Sequence, residues 1–211
     1  MAISNDSRTR IKRIFEPIAL GMGRLGLTPD GLTLIGFGIT VVGAILLGLQ
    51  LWLVGGLVVF IGGVFDMFDG TLARATGQVS NLGAFMDSVF DRWGEAIVYL
   101  GIVAGGTMAG SDAVAILAAA ALGAAFMVSY TRAKSEGLGF TAGTGMAAIG
   151  VMPREVRLVI LSLGLVGTGI VGSLLALEIG LGIIALGATI TVIQRILHVR
   201  GQANQSATST K

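Results

Sequence analysis

The sequence predicts an all-α membrane protein with six transmembrane helices preceded by an amphipathic surface helix. Of the 211 residues, 54% are hydrophobic and only 12% are charged, which is about half the charged fraction of a soluble domain. Apolar runs recur at about 31–49, 51–68, 94–109, 112–131, 155–176 and 178–197. Because a helix needs roughly 20 residues to cross a bilayer, six spans account for most of the chain.

The amino-terminal segment, residues 1–26, is predicted to lie on the membrane as an amphipathic helix. Basic and apolar residues alternate in it at helical spacing: Arg8, Arg10, Lys12 and Arg13 with Ile11, Ile14, Phe15 and Ile18. This pattern suits an anionic membrane surface, and a solvated basic tail is the alternative. The break before the first span contains Thr28 and Asp30, either of which can cap the following helix.

The remaining boundaries follow the apolar runs. We expect the third span to begin near Leu82 and the fourth to extend past Tyr130. Residues 27–200 then form one transmembrane domain of six helices, with a flexible linker at 137–150. The polar residues 201–211 are expected to be a disordered tail.

Charge placement predicts the orientation. If both termini face the cytoplasm, all 14 Lys and Arg lie on that side, and the opposite side carries only Asp112 and Glu178. This distribution follows the positive-inside rule. The chain contains no cysteine, which excludes disulfides and thiolate metal sites. The amino terminus lacks the apolar core of a cleavable signal peptide.

Four aspartates mark the candidate site. Asp66 and Asp69 are three residues apart and Asp87 and Asp91 are four apart, all within 26 residues of an apolar sequence. On helices, each pair shares one face. Carboxylates this close repel one another and are costly in apolar surroundings. Hard divalent cations such as Mg²⁺ remove both costs and keep open positions for phosphate oxygens. The spacing therefore favours a metal site over a solvated acidic loop.

The complete pattern is Asp-x2-Asp-Gly-x2-Ala-Arg-x8-Gly-x3-Asp-x3-Asp, from Asp66 to Asp91. It resembles the signature of the CDP-alcohol phosphotransferase family of membrane enzymes, and the resemblance covers nearly the whole chain. It implies that an acceptor hydroxyl attacks the lipid-side phosphorus of CDP-diacylglycerol and that CMP leaves. Transfer of this kind needs charge neutralised on the pyrophosphate, which paired metal ions can do.

The resemblance also implies roles for individual residues. The implied ligands of two divalent ions, Mg²⁺ or Mn²⁺, are Asp66, Asp69, Asp87 and Asp91. Asp91 is in addition the implied catalytic base, and the sequence leaves open whether it is ligand, base or both. The implied nucleotide-binding residues are Asp30, Gly70, Ala73, Arg74 and Gly83. Asp30 stands where many family members have Asn.

Cations at the cytoplasmic ends of the last three spans are candidates for binding the acceptor. There are five of them: Arg132, Lys134, Arg154, Arg157 and Arg195. Ordinary flanking of spans by basic residues is the alternative, but convergence from three helices suits a second phosphate. These segments resemble the phosphatidylinositol-phosphate synthase branch of the family, whose acceptor is inositol 1-phosphate. The resemblance implies that Arg132, Lys134, Arg154 and Arg195 bind the inositol phosphate.

Other functions stay open at this level. A phosphatidylglycerophosphate synthase would use glycerol 3-phosphate, and an archaeal-lipid transferase would use inositol phosphate with ether lipids. A divalent-cation transporter would need polar residues through the depth of several spans, whereas the outer halves of the spans are almost wholly apolar. The family resemblance implies a homodimer, and Gly101 and Gly105 can serve either its interface or internal packing. Nothing indicates a nucleic-acid partner.

Overall fold

The computed structural model describes residues 5–140 and 145–209, and over these residues it is all-helical. The all-α prediction is therefore confirmed. The helices are α1 (Asn5–Arg24), α2 (Pro29–Gly48), α3 (Trp52–Phe65), α4 (Met67–Thr76), α5 (Asn81–Met108), α6 (Asp112–Gly137), α7 (Arg154–Val171) and α8 (Leu175–Ser209). A short 3₁₀ turn, Met146–Ala148, precedes α7.

Local signals set the helix ends around the aspartates. Thr28 caps α2, because its Oγ1 accepts a hydrogen bond from the backbone N–H of Gly31 at 3.1 Å. Gly77 ends α4 in the left-handed conformation, with φ of 70°, which only glycine adopts at little cost. Ser80 then caps α5 by accepting from the N–H of Gly83 at 2.9 Å. This tight connection turns the chain back, so that Asp69 on α4 and Asp87 on α5 face one cavity.

Among the described residues, four helices are long and apolar enough to cross a membrane. They are Pro29–Gly48, Trp52–Thr76, Asp112–Gly137 and Leu175–Gln205. The second combines α3 and α4, which meet at Asp66 with helical backbone angles (φ −57°, ψ −25°). α5 carries four charged residues between Asp87 and Glu95, and α7 is 18 residues long with charges in its first turn. These four helices indicate that the chain is an integral membrane protein.

Within the described part of the chain, six helices close into a ring. Going round it, α2 packs on α3, α3 on α7, α7 on α8, α8 on α6, α6 on α5, and α5 on α2. All six contribute buried apolar side chains to one core, among them Leu47, Val59, Ile102, Ala118, Leu165 and Leu181. α4 lies at one end of the ring, where it contacts α2 and α1.

Glycines bring α5 and α2 into backbone contact. A Cβ atom at Gly101 would lie 2.3 Å from the carbonyl oxygen of Ala44, and one at Gly105 would lie 2.2 Å from that of Leu47. Small residues permit such approach between membrane helices, where van der Waals packing has to provide much of the association energy. Both glycines are therefore used for internal packing.

The amino-terminal segment is anchored by the end of α1. The rings of Phe15 and Phe68 are 5.0 Å apart between centroids, and Ala19 is buried in a cluster with Leu32 and Leu72. Phe68 stands between two of the aspartates, so α1 supports the segment that carries them. Residues 1–4, and the side chains before Phe15 on which the predicted amphipathic character rests, lie outside what the structure describes.

Two segments expected to be irregular contain helix. The predicted linker 137–150 includes the 3₁₀ turn, while its residues 141–144 lie outside the described residues. The tail also differs from the expected disorder, because α8 continues to Ser209. Neither proline nor a second glycine follows Gly201, and Ala and Gln favour helix. Nothing in the local sequence therefore stops α8 where its apolar run ends.

Replacing Gly101 by alanine is expected to destabilise the protein by about 1–3 kcal/mol, since the added methyl meets a backbone carbonyl that cannot move without separating α5 from α2. Gly123→Ala in α6 is the matched control, because no atom lies within 4 Å of its Cβ position. Alanine there gains up to about 1 kcal/mol of helix propensity. Thermal unfolding in detergent, followed by circular dichroism, compares the two. Equal midpoints would contradict the packing described here.

Candidate active site

All four predicted aspartates line one cavity of about 800 Å³ at one end of the helix ring. Asp66 stands at the junction of α3 and α4, and Asp69 lies on the first turn of α4. Asp87 and Asp91 lie on successive turns of α5. The helical spacing that the sequence indicated is therefore present, and both pairs face the same space.

Three of these aspartates form a cluster that fits a metal ion. One carboxylate oxygen from each of Asp66, Asp69 and Asp87 lies within 4.8 Å of the others. Asp69 is buried, and its Oδ2 accepts a hydrogen bond from Thr33 Oγ1 at 2.5 Å, while its Oδ1 accepts from the N–H of Gly70. An all-oxygen, anionic donor set is what hard divalent cations such as Mg²⁺ and Mn²⁺ prefer. The sequence did not single out Thr33, which orients Asp69 from α2.

Asp91 faces two arginines. Its Oδ1 lies 2.7 Å from Nη1 of Arg154, and its Oδ2 accepts from Nη2 of Arg92 at 3.2 Å. The same Nη1 of Arg154 donates to Oδ2 of Asp66 at 2.8 Å. Arg154 therefore bridges one carboxylate from each aspartate pair. Asp91 is not a member of the three-carboxylate cluster found among the described residues.

A second cavity, of about 240 Å³, shares Asp69 and Asp87 with the first. It is lined by all five predicted nucleotide-binding residues: Asp30, Gly70, Ala73, Arg74 and Gly83. The guanidinium of Arg74 lies over Gly70, where a Cβ atom would come within 3.2 Å of Nη1. Gln78 and Ser80 also line this cavity, and the sequence offered no signal for them beyond their place between two motif helices.

Two of the four predicted acceptor-binding cations lie beside the aspartates. Arg154, one-third exposed, lines the aspartate cavity. Arg132 lines a third cavity, of about 840 Å³, which lies between α5 and α6 and reaches Asp87 and Asp91. Its Nε also pairs with Oε1 of Glu136, one turn further along α6, at 3.0 Å.

Arg195 and Lys134 are placed differently from what the sequence suggested. Arg195 is buried, and it donates hydrogen bonds to the backbone carbonyls of Ile149, at 3.0 Å, and of Val128. Those bonds tie the segment before α7 to α6 and α8. Lys134 is exposed on α6. Sequence position indicates which helix end a cation occupies, but the direction of its side chain depends on packing.

A further charged group lies one helical turn deeper than Asp91. Arg157 is 2% exposed, and its Nε and Nη2 donate to Oε1 and Oε2 of Glu95 at 2.8 and 2.9 Å. Arg92 Nη1 donates to Oε2 of Glu95 at 2.8 Å and to Oγ of Ser129 at 2.9 Å. Sequence reasoning missed Glu95, although its position four residues after Asp91 places both on one face.

Comparison with known sequences identifies a family. The model of the CDP-alcohol phosphatidyltransferase family matches residues 26–193. The archaetidylinositol phosphate synthase of Pyrococcus horikoshii is 35% identical over 194 residues, which cover 92% of this chain and 94% of that protein. The match to the family model therefore includes all four aspartates and Arg154.

Solved structures of a related synthase have the same fold. The crystal structure of Mycobacterium tuberculosis phosphatidylinositol phosphate synthase with CDP-DAG bound superposes with a TM-score of 0.79 at 32% identity, covering 89% of this chain and 94% of that one. The structure of that synthase in complex with manganese and citrate gives a TM-score of 0.78 at 31% identity and covers 88% of each chain.

Proposed function

Because the chain belongs to the CDP-alcohol phosphatidyltransferase family of enzymes, we propose that it transfers the phosphatidyl group of CDP-diacylglycerol to inositol 1-phosphate and releases CMP. The observation that carries this proposal is the content of the aspartate cavity. A three-carboxylate cluster and the guanidinium of Arg154 line the same space. The cavity thus offers a metal site for a pyrophosphate and a cation for a second phosphate.

In this proposal Asp66, Asp69, Asp87 and Asp91 hold two divalent ions, which neutralise the charge of the pyrophosphate when bound. The structural support is the cluster of the first three and the position of Asp91 on the same cavity wall. Thr33 keeps Asp69 turned towards the cluster.

Asp91 is the proposed general base. It lies at the cavity wall with its carboxylate oriented by Arg92 and Arg154. An Oδ atom accepts the proton of the acceptor hydroxyl as the hydroxyl oxygen attacks the lipid-side phosphorus. The bond between that phosphorus and the bridging oxygen breaks, and the electron pair leaves with CMP.

The second cavity is the proposed nucleotide site. Its lining includes the five predicted nucleotide-binding residues, Asp30, Gly70, Ala73, Arg74 and Gly83. Since this cavity joins the first at Asp69 and Asp87, a CMP moiety here extends its pyrophosphate towards the carboxylate cluster. Arg74 faces both cavities and suits a phosphate with its fork of donors.

The proposed acceptor site lies on the other side of the cluster, around Arg154 and Arg132. Both line cavities that contain Asp87 and Asp91. Lys134 and Arg195 belong to the same proposed site, but each has to reorient to reach the acceptor. In this structure Lys134 is exposed, and Arg195 is bonded to backbone carbonyls.

We also propose six spans, both termini in the cytoplasm, a cell-membrane location and a homodimer. The ring supports the count, because α5 and α7 share one core with the four more apolar helices and cannot lie outside the bilayer while their neighbours cross it. With six spans, all 14 Lys and Arg fall on one side. The mass of the protein in detergent, measured by light scattering, tests the dimer.

The acceptor is tested by CMP release from purified protein. We expect turnover of CDP-diacylglycerol with inositol 1-phosphate and little with glycerol 3-phosphate, inositol or serine, and we expect excess EDTA to abolish it. A CDP-activated diether lipid compares ether with ester donors. The Asp69→Asn variant is expected to release CMP about a hundredfold or more slowly, since metal stabilisation of the transition state is worth several kcal/mol. Asp112→Asn, at the other end of the bundle, is the control. Preference for an unphosphorylated alcohol would refute the proposal.

Arg154→Gln is expected to raise KM for the acceptor about tenfold or more, because each charge-assisted hydrogen bond contributes about 1.5–3 kcal/mol. KM for CDP-diacylglycerol is expected to stay unchanged. Arg74→Gln is the matched variant on the nucleotide side, and it should reverse the pattern. Steady-state kinetics with each substrate varied in turn measures both. If Arg154→Gln weakens only the CDP-lipid, the assignment of Arg154 to the acceptor is wrong.

Single cysteines test the orientation. Ala109→Cys and Ser173→Cys lie in exposed connections opposite the aspartates, and Ala203→Cys lies on the exposed end of α8. A membrane-impermeant maleimide applied to intact cells is expected to label the first two and not the third. Labelling of Ala203→Cys alone would invert the topology, and it would place the cavity on the outer face.

A further inference from the structure

Two ion pairs between α5 and α7 form a ladder. Its upper rung is Asp91 with Arg154 and its lower rung is Glu95 with Arg157. We propose that Glu95 and Arg157 are positioning residues, because their pairing fixes the register of α5 against α7. With that register fixed, Arg154 can release Asp91 and bind the acceptor phosphate, while the carboxylate of Asp91 stays in position. This inference rests on the proposed function of the upper rung.

The register of the two helices follows from their spacing. Glu95 comes four residues after Asp91, and Arg157 comes three after Arg154. At about 1.5 Å per residue, these steps advance about 6 Å along α5 and about 4.5 Å along α7. Both steps are close to one turn, so the rungs stack on the facing sides of the helices. A slip of one turn would break both pairs and would leave only one carboxylate opposite an arginine, with exchanged partners.

The lower rung is buried, with side-chain exposures of 2% for Arg157 and 11% for Glu95. Glu95 and Arg157 are joined by two parallel hydrogen bonds, a geometry in which guanidinium and carboxylate planes match. Nη1 of Arg157 donates to the carbonyl of Met152 at 3.1 Å, two residues before Arg154. Removing one partner leaves a buried charge unpaired, which makes such a pair costly to open. The lower rung thus holds the entry to α7 as well as its register.

The upper rung differs from the lower rung in its exposure and in its hydrogen bonds. The side chain of Arg154 is 33% exposed, against 2% for that of Arg157. A single nitrogen, Nη1, contacts both Asp66 and Asp91, and the cavity lies beside it. Partly solvated ion pairs are weak, so a dianionic phosphate competes well for this guanidinium. The exchange therefore takes place at the upper rung.

Glu95 has a second task, which is to hold Arg92. Oε2 of Glu95 accepts from Arg92 Nη1, and Arg92 Nη2 contacts Asp91. Without the charge of Glu95, Arg92 and Arg157 lose the carboxylate that they share, and Asp91 is then the carboxylate that Arg92 still contacts. The base would then be drawn into structural pairing, which misaligns it for the acceptor hydroxyl.

The Glu95→Gln variant tests the positioning role of Glu95, because glutamine keeps the shape of the side chain and removes its charge. We expect kcat to fall about 10- to 100-fold, as displacements near 1 Å at a reacting group do, with KM for CDP-diacylglycerol unchanged. Glu178→Gln, a half-buried glutamate bonded to Ser111 at the opposite end, is the control and should keep wild-type kinetics. Wild-type kcat in Glu95→Gln would overturn the proposal.

A double variant separates positioning from folding. Glu95→Gln with Arg157→Gln removes both buried charges, so the thermal midpoint in detergent should recover relative to either single variant. kcat should stay low, because the register-setting pair is absent. Recovery of kcat together with the midpoint would mean that the pair is only structural, and the proposal would fail.

Measuring CMP release with each acceptor alcohol distinguishes a failure of this inference from a failure of the proposed function. If the wild type turns over an unphosphorylated alcohol, the proposed acceptor is wrong, and the exchange at Arg154 is overturned with it. A fall of kcat in Glu95→Gln with that alcohol would still support the hold of the lower rung on Asp91. Full activity of the variant with every accepted alcohol would overturn that part as well.

Discussion

Charge compensation at one end of an apolar bundle is the constraint on which the rest of the structure depends. Four aspartates and Glu95 face spaces walled by apolar helices, where an unpaired carboxylate is costly. The protein answers in two ways. Glu95 and Asp91 each pair with two arginines, whereas the three clustered carboxylates of Asp66, Asp69 and Asp87 have one ion pair among them, from Asp66 to Arg154. That remaining imbalance is what makes the cluster a place for divalent ions.

The helix ring holds the aspartates and Glu95 near one end of the bundle. α5 carries two aspartates and Glu95, and it is fixed against α2 by the contacts at Gly101 and Gly105. α4 reaches the same level because Gly77 and Ser80 turn the chain within a few residues. α7 is set against α5 by ion pairs as well as through the shared core. Each device is short-ranged, and together they leave the aspartates little freedom to separate.

Much of this was predictable, because it follows from helical periodicity. The spacing of the aspartates predicted that each pair shares one helix face. The family resemblance grouped Asp30, Gly70, Ala73, Arg74 and Gly83, and all five line the second cavity. What the sequence could not supply is direction. Arg154 and Arg195 both stand at the ends of apolar runs, yet one reaches carboxylates and the other reaches backbone carbonyls. Only the packing of α6, α7 and α8 decides between those partners.

The same packing brings cations from two helices to the carboxylate cluster. Arg74 lies on α4 and lines both the aspartate cavity and the cavity of about 240 Å³, whereas Arg154 lies on α7 and lines the aspartate cavity. A donor pyrophosphate and an acceptor phosphate repel each other strongly, so a site that brings them together needs a cation for each and positive charge between them. In the proposed reaction, Arg74, Arg154 and the carboxylate cluster with its divalent ions meet that requirement. The donor phosphate and the acceptor phosphate then each have an arginine of their own, and the two arginines come from different helices.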